Sequence, residues 1–327
     1  MKRFKDILCM VEPGKECNLA LDRAVTLAEN NQANLTVTAV APTVRAGIGM
    51  PEGGPISADF QATTVNNHKQ ELETRVEPYR QRIKIETRVL VGTPFLEITR
   101  EVLRNAHDLV IKCPESQNWL DRFFSGDDMH LLRKCPCPVW MVKPQTGESY
   151  NRILAAVDVD DSYPPEELKT RQGLNALVMQ LAGSLAVAEF AELHVAHAWE
   201  VIGESALRHG AFMQMPENEV NAHVEGVRKH YAKLLDALIS EAGAKLGQDA
   251  IDYINPQIHM PKGSARKVIP ELATRLQVDC VVMGTVARTG VPGFFMGNTA
   301  ENILNQIECS VLAIKPPGFV TPVTVEE

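Results

Sequence analysis

Short blocks of Val, Ile and Leu alternate along the chain with longer stretches whose apolar positions repeat every three or four residues. The blocks at 7–11, 109–111 and 139–142 are apolar at successive positions, and 35–40 is broken only by Thr36 and Thr38, as strands covered on both faces are. Between them Leu21, Val25 and Ala28 form one helical stripe, and Ile98, Val102 and Leu103 form another. Alternation of this kind predicts a parallel, doubly wound α/β sheet with right-handed crossovers, built from five strands and four helices.

The whole pattern occurs twice. Residues 4–12 (FKDILCMVE) recur as 150–158 (YNRILAAVD), an offset of 146. Residues 35–40 match 193–198, 83–92 match 254–263, and 107–111 match 278–282. Each copy closes on a strand ending in Lys-Pro, at 138–144 and 310–316, where the offset has grown to 172. The second copy therefore carries 26 more residues (172 − 146), which fall around 160–173 and 201–221. The predicted organisation is a first domain over 1–144, a short polar linker over 145–149, a second domain over 150–317 and a tail over 318–327. Pro270 interrupts a helical stretch and predicts a kink, or a helix that begins late.

A chain of 327 residues with 45% hydrophobic and 23% charged residues suits two globular domains. Its net charge of −8 argues against a surface for the nucleic-acid backbone, though not against one small anion held by backbone N–H groups. The basic N-terminus is followed by an apolar run, 7–11, too short for a secretion signal, and no segment reaches membrane-spanning length. Seven cysteines without a framework spacing fit reduced thiols. The expectation is a soluble cytoplasmic protein.

In an open α/β sheet, ligands bind beyond the carboxyl ends of the strands at the point where strand order reverses. Two features of the second copy meet there if its first and fourth strands are neighbours. One is Asp158, closing strand one. The other is the loop 282–302, which carries Gly284, Gly290, Gly293 and Gly297 and leads into a helix opening with Asn298 and Thr299. Glycines let backbone curl around an anion, and a helix start offers unpaired N–H groups.

A strand ending in Asp, the spacing Gly-x-x-Gly-x9-Gly-Ser/Thr after strand four and a closing Cys-Pro-Val strand together resemble the universal stress protein family, over nearly the whole chain and twice. Here the spacing reads Gly284-x-x-Ala287-x9-Gly297-Asn298, so Ala287 adds a methyl where the family brings backbone close to phosphate. The resemblance implies strand order 3-2-1-4-5 in each domain and ATP at the switch point of those members that bind it. It places Asp158 at the ribose with Ala156 and Val157 beside it, and the backbone near Ala198 at the base. Met283, Gly284, Val286 and Ala287 then line one side, and Gly297, Asn298 and Thr299 take the phosphates. A Mg ion could accompany the nucleotide. Single-domain members pair through their last strands, so the copies should pack as an internal pseudo-dimer with 138–142 near 311–314; a homodimer of the whole chain is left open. The family also implies a role in surviving stress, including DNA damage, which no residue here shows.

The first copy has lost this equipment. Its strand one ends in Glu12, its strand-four glycine is missing, and Asp127 and Asp128 open its last helix, where they can satisfy helix N–H groups and would repel a phosphate. It reads as structural. Elsewhere, Cys135 and Cys137 read as core cysteines, their spacing being one residue short of a thioredoxin-type pair. His194 and His197 sit on opposite faces of a strand, His223 and His230 are two helical turns apart, and Glu219 with His223 reads as a solvated helix face. No nucleophile–base pair and no phosphate-loop lysine is present, which favours a binding protein over an enzyme. The apolar segments 206–215 and 291–296, with Phe294, Phe295 and Met296, suit either packing between the copies or a wall for a ligand's hydrophobic extension. Three functions follow: a stress-response protein binding a nucleotide or nucleotide-like ligand in its second domain, a ligand-free scaffold acting through protein contacts, and a slow ATP hydrolase.

Overall fold

The computed structural model describes residues 4–14, 18–44, 54–115, 124, 126–143, 149–209, 215–285 and 296–325. The first repeat runs β1 (Asp6–Met10), α1 (Leu19–Asn31), β2 (Asn34–Ala41), α2 (Pro55–Val76), β3 (Ile85–Val91), α3 (Pro94–Asn105), β4 (Leu109–Lys112), α4 (Gly126–Lys134) and β5 (Val139–Met141). The second runs β6 (Arg152–Ala156), α5 (Pro165–Glu189), β7 (Glu192–Ala196), α6 (Glu204–His209), α7 (Glu217–Leu246), α8 (Gln248–Ile254), β8 (Gln257–His259), α9 (Ala265–Arg275), β9 (Cys280–Gly284), α10 (Asn298–Leu304) and β10 (Ser310–Ile314).

All these strands join one ten-stranded sheet in the order β3-β2-β1-β4-β5-β10-β9-β6-β7-β8. Each half reads 3-2-1-4-5, with parallel pairing throughout. The halves meet antiparallel, Val311 opposite Met141, Leu312 opposite Trp140 and Ala313 opposite Val139. Each closing strand would otherwise present an unpaired apolar edge, and joining them removes both edges at once. Alternate side chains of the strands feed two apolar layers. One lies under α1, α2, α5 and α7 and the other under α3, α4, α9 and α10, and both layers run on through the junction.

Charged side chains reinforce that junction reciprocally. Lys143, just beyond β5, donates from Nζ to the carbonyl of Ile307 at 3.0 Å, and Lys315, just beyond β10, donates to the carbonyl of Leu132 at 2.5 Å. The guanidinium of Arg23 lies 3.6 Å from the ring centre of Tyr150 and donates to Glu189 at 2.8 Å.

Two expectations change. The second repeat has six helices among the described residues rather than four, because the added residues around 201–221 include α6, and Gly247, at φ +96, divides α7 from α8. The other addition lengthens a helix: α5 has 25 residues and α1 has 13, both ending on a left-handed residue, Phe190 and Gln32. Pro270 does not delay its helix, since α9 already begins at Ala265 and runs through it to Arg275. A proline there leaves the carbonyl four residues earlier without its N–H donor. That carbonyl, of Arg266, accepts from the Gln306 side chain at 2.9 Å.

Candidate functional site

A cavity of about 490 Å3 opens at the carboxyl ends of β6 and β9, the switch point of the second repeat. Ala156, Val157, Asp158, Ala198, Met283, Gly284, Gly297, Asn298 and Thr299 all line it. Val286 and Ala287 lie outside the described residues. The strand ends bring these groups together because β6 and β9 are adjacent, Ala156 opposite Met283.

Asp158 is held from several sides. Its Oδ2 accepts from the Arg171 guanidinium and, at 3.4 Å, from the Tyr163 hydroxyl, while Oδ1 accepts from the Asp160 N–H at 3.2 Å. Arg171 also donates from Nε and Nη2 to Glu167 at 3.0 and 2.8 Å, and its guanidinium stacks 3.5 Å from the centre of the Tyr163 ring. Burial and the Asp158 charge push the Tyr163 phenol up to about 12. The Asn175 amide fixes the backbone, accepting from Asp158 N–H at 3.1 Å and donating to Asp158 C=O at 2.6 Å. Tyr163 and Arg171 belong to the 160–173 segment that the first repeat lacks, and they were invisible to motif matching for that reason.

His197 forms the next part of the wall, 2% exposed, its ring 4.9 Å from that of Tyr231. Burial lowers its pKa and favours the neutral imidazole, whose Nδ1 lies 3.4 Å from the Val159 N–H. His194 faces a different neighbour, its Nδ1 2.9 Å from His259 Nε2, so the two strand histidines do not converge. No cluster of three or more His, Cys, Asp or Glu among the described residues is placed to hold a metal ion.

Gly284 has a reason other than the one its sequence context suggests. A Cβ there would lie 2.3 Å from Leu174 Cδ2, so the glycine admits a side chain of α5 to the cavity floor rather than a phosphate. Gly284→Ala is expected to cost about 1–3 kcal/mol in urea unfolding, and adding Leu174→Ala should recover part of it. Gly297 is different: its N–H donates to the Thr285 carbonyl at 3.0 Å, and a Cβ there would find its nearest neighbour among the described residues 4.0 Å away. Met296 is 2% exposed and packs in the core, which removes it from any ligand-facing wall, while Phe294 and Phe295 lie outside the described residues.

The same place in the first repeat is filled by an ion pair. Met10 opposite Lys112 corresponds to Ala156 opposite Met283, so Cys113 stands where the second repeat has Gly284. Lys112, 2% exposed, donates to Asp128 at 2.6 Å and lies 3.7 and 3.8 Å from the carboxylates of Glu12 and Glu115. Asp128, expected to serve the helix it opens, also accepts from Lys112 and from the Glu115 N–H at 3.0 Å. Burial alone would lower the Lys112 pKa, but the Asp128 charge and hydrogen bond, with Glu115 and Glu12, raise it. Cys135 and Cys137 are buried in the core with sulfurs 3.5 Å apart.

The model of the universal stress protein family matches residues 3–143 and again 149–315. The chain belongs to the universal stress protein family, with two family domains in tandem. Its relatives include universal stress protein E of Escherichia coli, 34% identical over 72% of this chain and 69% of that protein, and universal stress protein E of Salmonella typhi, 29% identical over 100% and 99%. Among solved structures, a functionally unknown protein of Pseudomonas aeruginosa is 27% identical over 96% of this chain and 94% of that one, with a TM-score of 0.68. A universal stress protein of Archaeoglobus fulgidus, 13% identical with a TM-score of 0.59 over 94% and 98%, shares the fold.

Proposed function

We propose that the second domain binds a nucleotide or nucleotide-like ligand, and that the protein serves the stress response by binding rather than by catalysis. The cavity at the switch point carries this reading. Its volume of about 490 Å3 falls within the usual range for small-molecule sites. Its wall combines apolar Leu174, Val178, Ile269 and Ile303 with the rings of Trp199 and Tyr231 and the polar groups of Ser264, Thr285, Asn298 and Thr299. Asp158 keeps room for a ribose hydroxyl: a carboxylate has about four acceptor positions, and three have donors in Arg171, Tyr163 and Asp160. Ile202, 97% exposed at the mouth, gives a hydrophobic extension a surface. The first domain, its corresponding end closed by the Lys112–Asp128 pair, acts as a structural partner, with the domains dividing at 145–149. No described helix is long and apolar enough to cross a membrane.

Calorimetric titration of the intact chain with ATP, ADP and UDP-sugars tests the reading. Gly297→Asp, a position with room for a side chain, is expected to weaken binding at least about tenfold by setting a carboxylate beside the ligand's anion. Binding unchanged by Gly297→Asp would place the ligand elsewhere, and no heat with any ligand would favour a scaffold.

A further inference from the structure

Two lysines are buried among the described residues, and only one has a carboxylate partner there. Lys112 is paired with Asp128. Lys315 is 5% exposed; its ammonium donates to the Leu132 carbonyl at 2.5 Å and to Thr285 Oγ1 at 2.8 Å, with the Phe319 ring centre 5.1 Å away. The titratable groups that face it are the thiols of Cys135 and Cys137. Burial without a carboxylate drives its pKa down to about 7.

Thr285 connects this ammonium to the cavity. The residue lines the wall, and its hydroxyl accepts from Lys315 while donating to the Ile314 carbonyl over a long 3.3 Å. That carbonyl already accepts the Thr285 N–H at 3.0 Å, so it keeps a donor if the hydroxyl proton turns away from it. We propose that Lys315 is a positioning cation for an anion subsite at Thr285, so that the ligand sets a phosphate group against this wall. The buried ammonium lies one hydroxyl behind a wall residue that is itself 1% exposed, and the phosphate becomes the counter-ion that no described carboxylate supplies. The proposal rests on the second-domain cavity being the ligand site. It adds the chemistry of one end of the ligand, and a coupling between binding and protonation.

The test titrates the intact chain, Lys315→Met, Thr285→Val and Cys135→Ser with adenosine, AMP and ATP, in buffers of different ionisation enthalpy. With its pKa brought down to about 7, Lys315 is partly deprotonated at neutral pH, so AMP binding is expected to take up a fraction of a proton. AMP should bind the natural chain on the order of tenfold more tightly than Lys315→Met, while adenosine binds both alike. The difference between the two chains removes the phosphate's own titration. Thr285→Val, which leaves the ammonium in place, should abolish the uptake as well. Equal AMP affinity and equal uptake with and without Lys315 would overturn the proposal and leave the nucleotide reading standing. So would uptake that vanishes in Cys135→Ser but persists in Lys315→Met. No heat with any of the three compounds would remove both.

Discussion

Asp128→Ala is expected to cost the protein about 3–5 kcal/mol, because it strands the Lys112 ammonium inside the first domain without its nearest counter-charge. The magnitude follows from burial: Asp128 is 0% and Lys112 2% exposed, and their contact is 2.6 Å. Glu12 and Glu115, at 3.7 and 3.8 Å, are too distant to replace it fully. Urea unfolding of the single variants and of Lys112→Met with Asp128→Leu measures the effect. The double variant should recover most of the loss, since an apolar pair of similar volume has no charge to desolvate. A double variant as unstable as Asp128→Ala would show that the pair contributes through shape or through further partners. The pH dependence has a definite sign. Lys112 is held above its ordinary 10.5, so its contribution is fully present below that value and is lost as pH rises through the raised one. Ligand binding in the second domain should be unaffected by either change.

The parallel sheet and its junction could be read from physical patterning before any coordinates, and the strand order and much of the cavity wall from the family resemblance. Strands covered on both faces announce themselves as apolar runs, and two such runs closing successive repeats leave edges that need each other. Backbone at the ends of strands one and four must converge once those strands are neighbours, which is why Ala156, Asp158, Met283 and Gly284 could be named together. Side chains arriving from elsewhere could not. Arg171 and Tyr163 reach Asp158 from a segment with no counterpart in the first repeat, so no internal comparison could align them. Lys112 and Asp128 are separated by a loop, and their pairing depends on how α4 is set against β4. Gly284 stood out as a loop glycine, but its cause, the Leu174 side chain, lies on a helix whose register only packing decides. Met296 suits either packing or a ligand wall in its sequence context, and the core takes it.

Lys315→Met is expected to stabilise the protein by about 2–3 kcal/mol at neutral pH, the opposite sign from Asp128→Ala. In the unfolded chain the lysine titrates near 10.5, and in the folded chain burial brings it to about 7. Folding therefore loses protons between these values, and the unfolded state binds more of them. The cost of burying Lys315 is present in full below pH 7, shrinks as pH rises and is gone above 10.5. At neutral pH a shift of this size corresponds to about 4 kcal/mol. The variant leaves the Leu132 carbonyl without its lysine donor, which returns about 1–2 kcal/mol of that gain. Urea unfolding at several pH values separates the cases. The natural chain should gain on Lys315→Met steadily between about pH 7 and pH 10, overtake it, and end more stable by about the 1–2 kcal/mol of the Leu132 hydrogen bond at the alkaline end. A variant destabilised at every pH would mean that the ammonium holds the junction through its hydrogen bonds more than burial costs it. If the gain appears, a removable cost of this kind, sited directly behind Thr285, is what an anion in the cavity would relieve, and the same substitution that strengthens the fold should weaken the ligand.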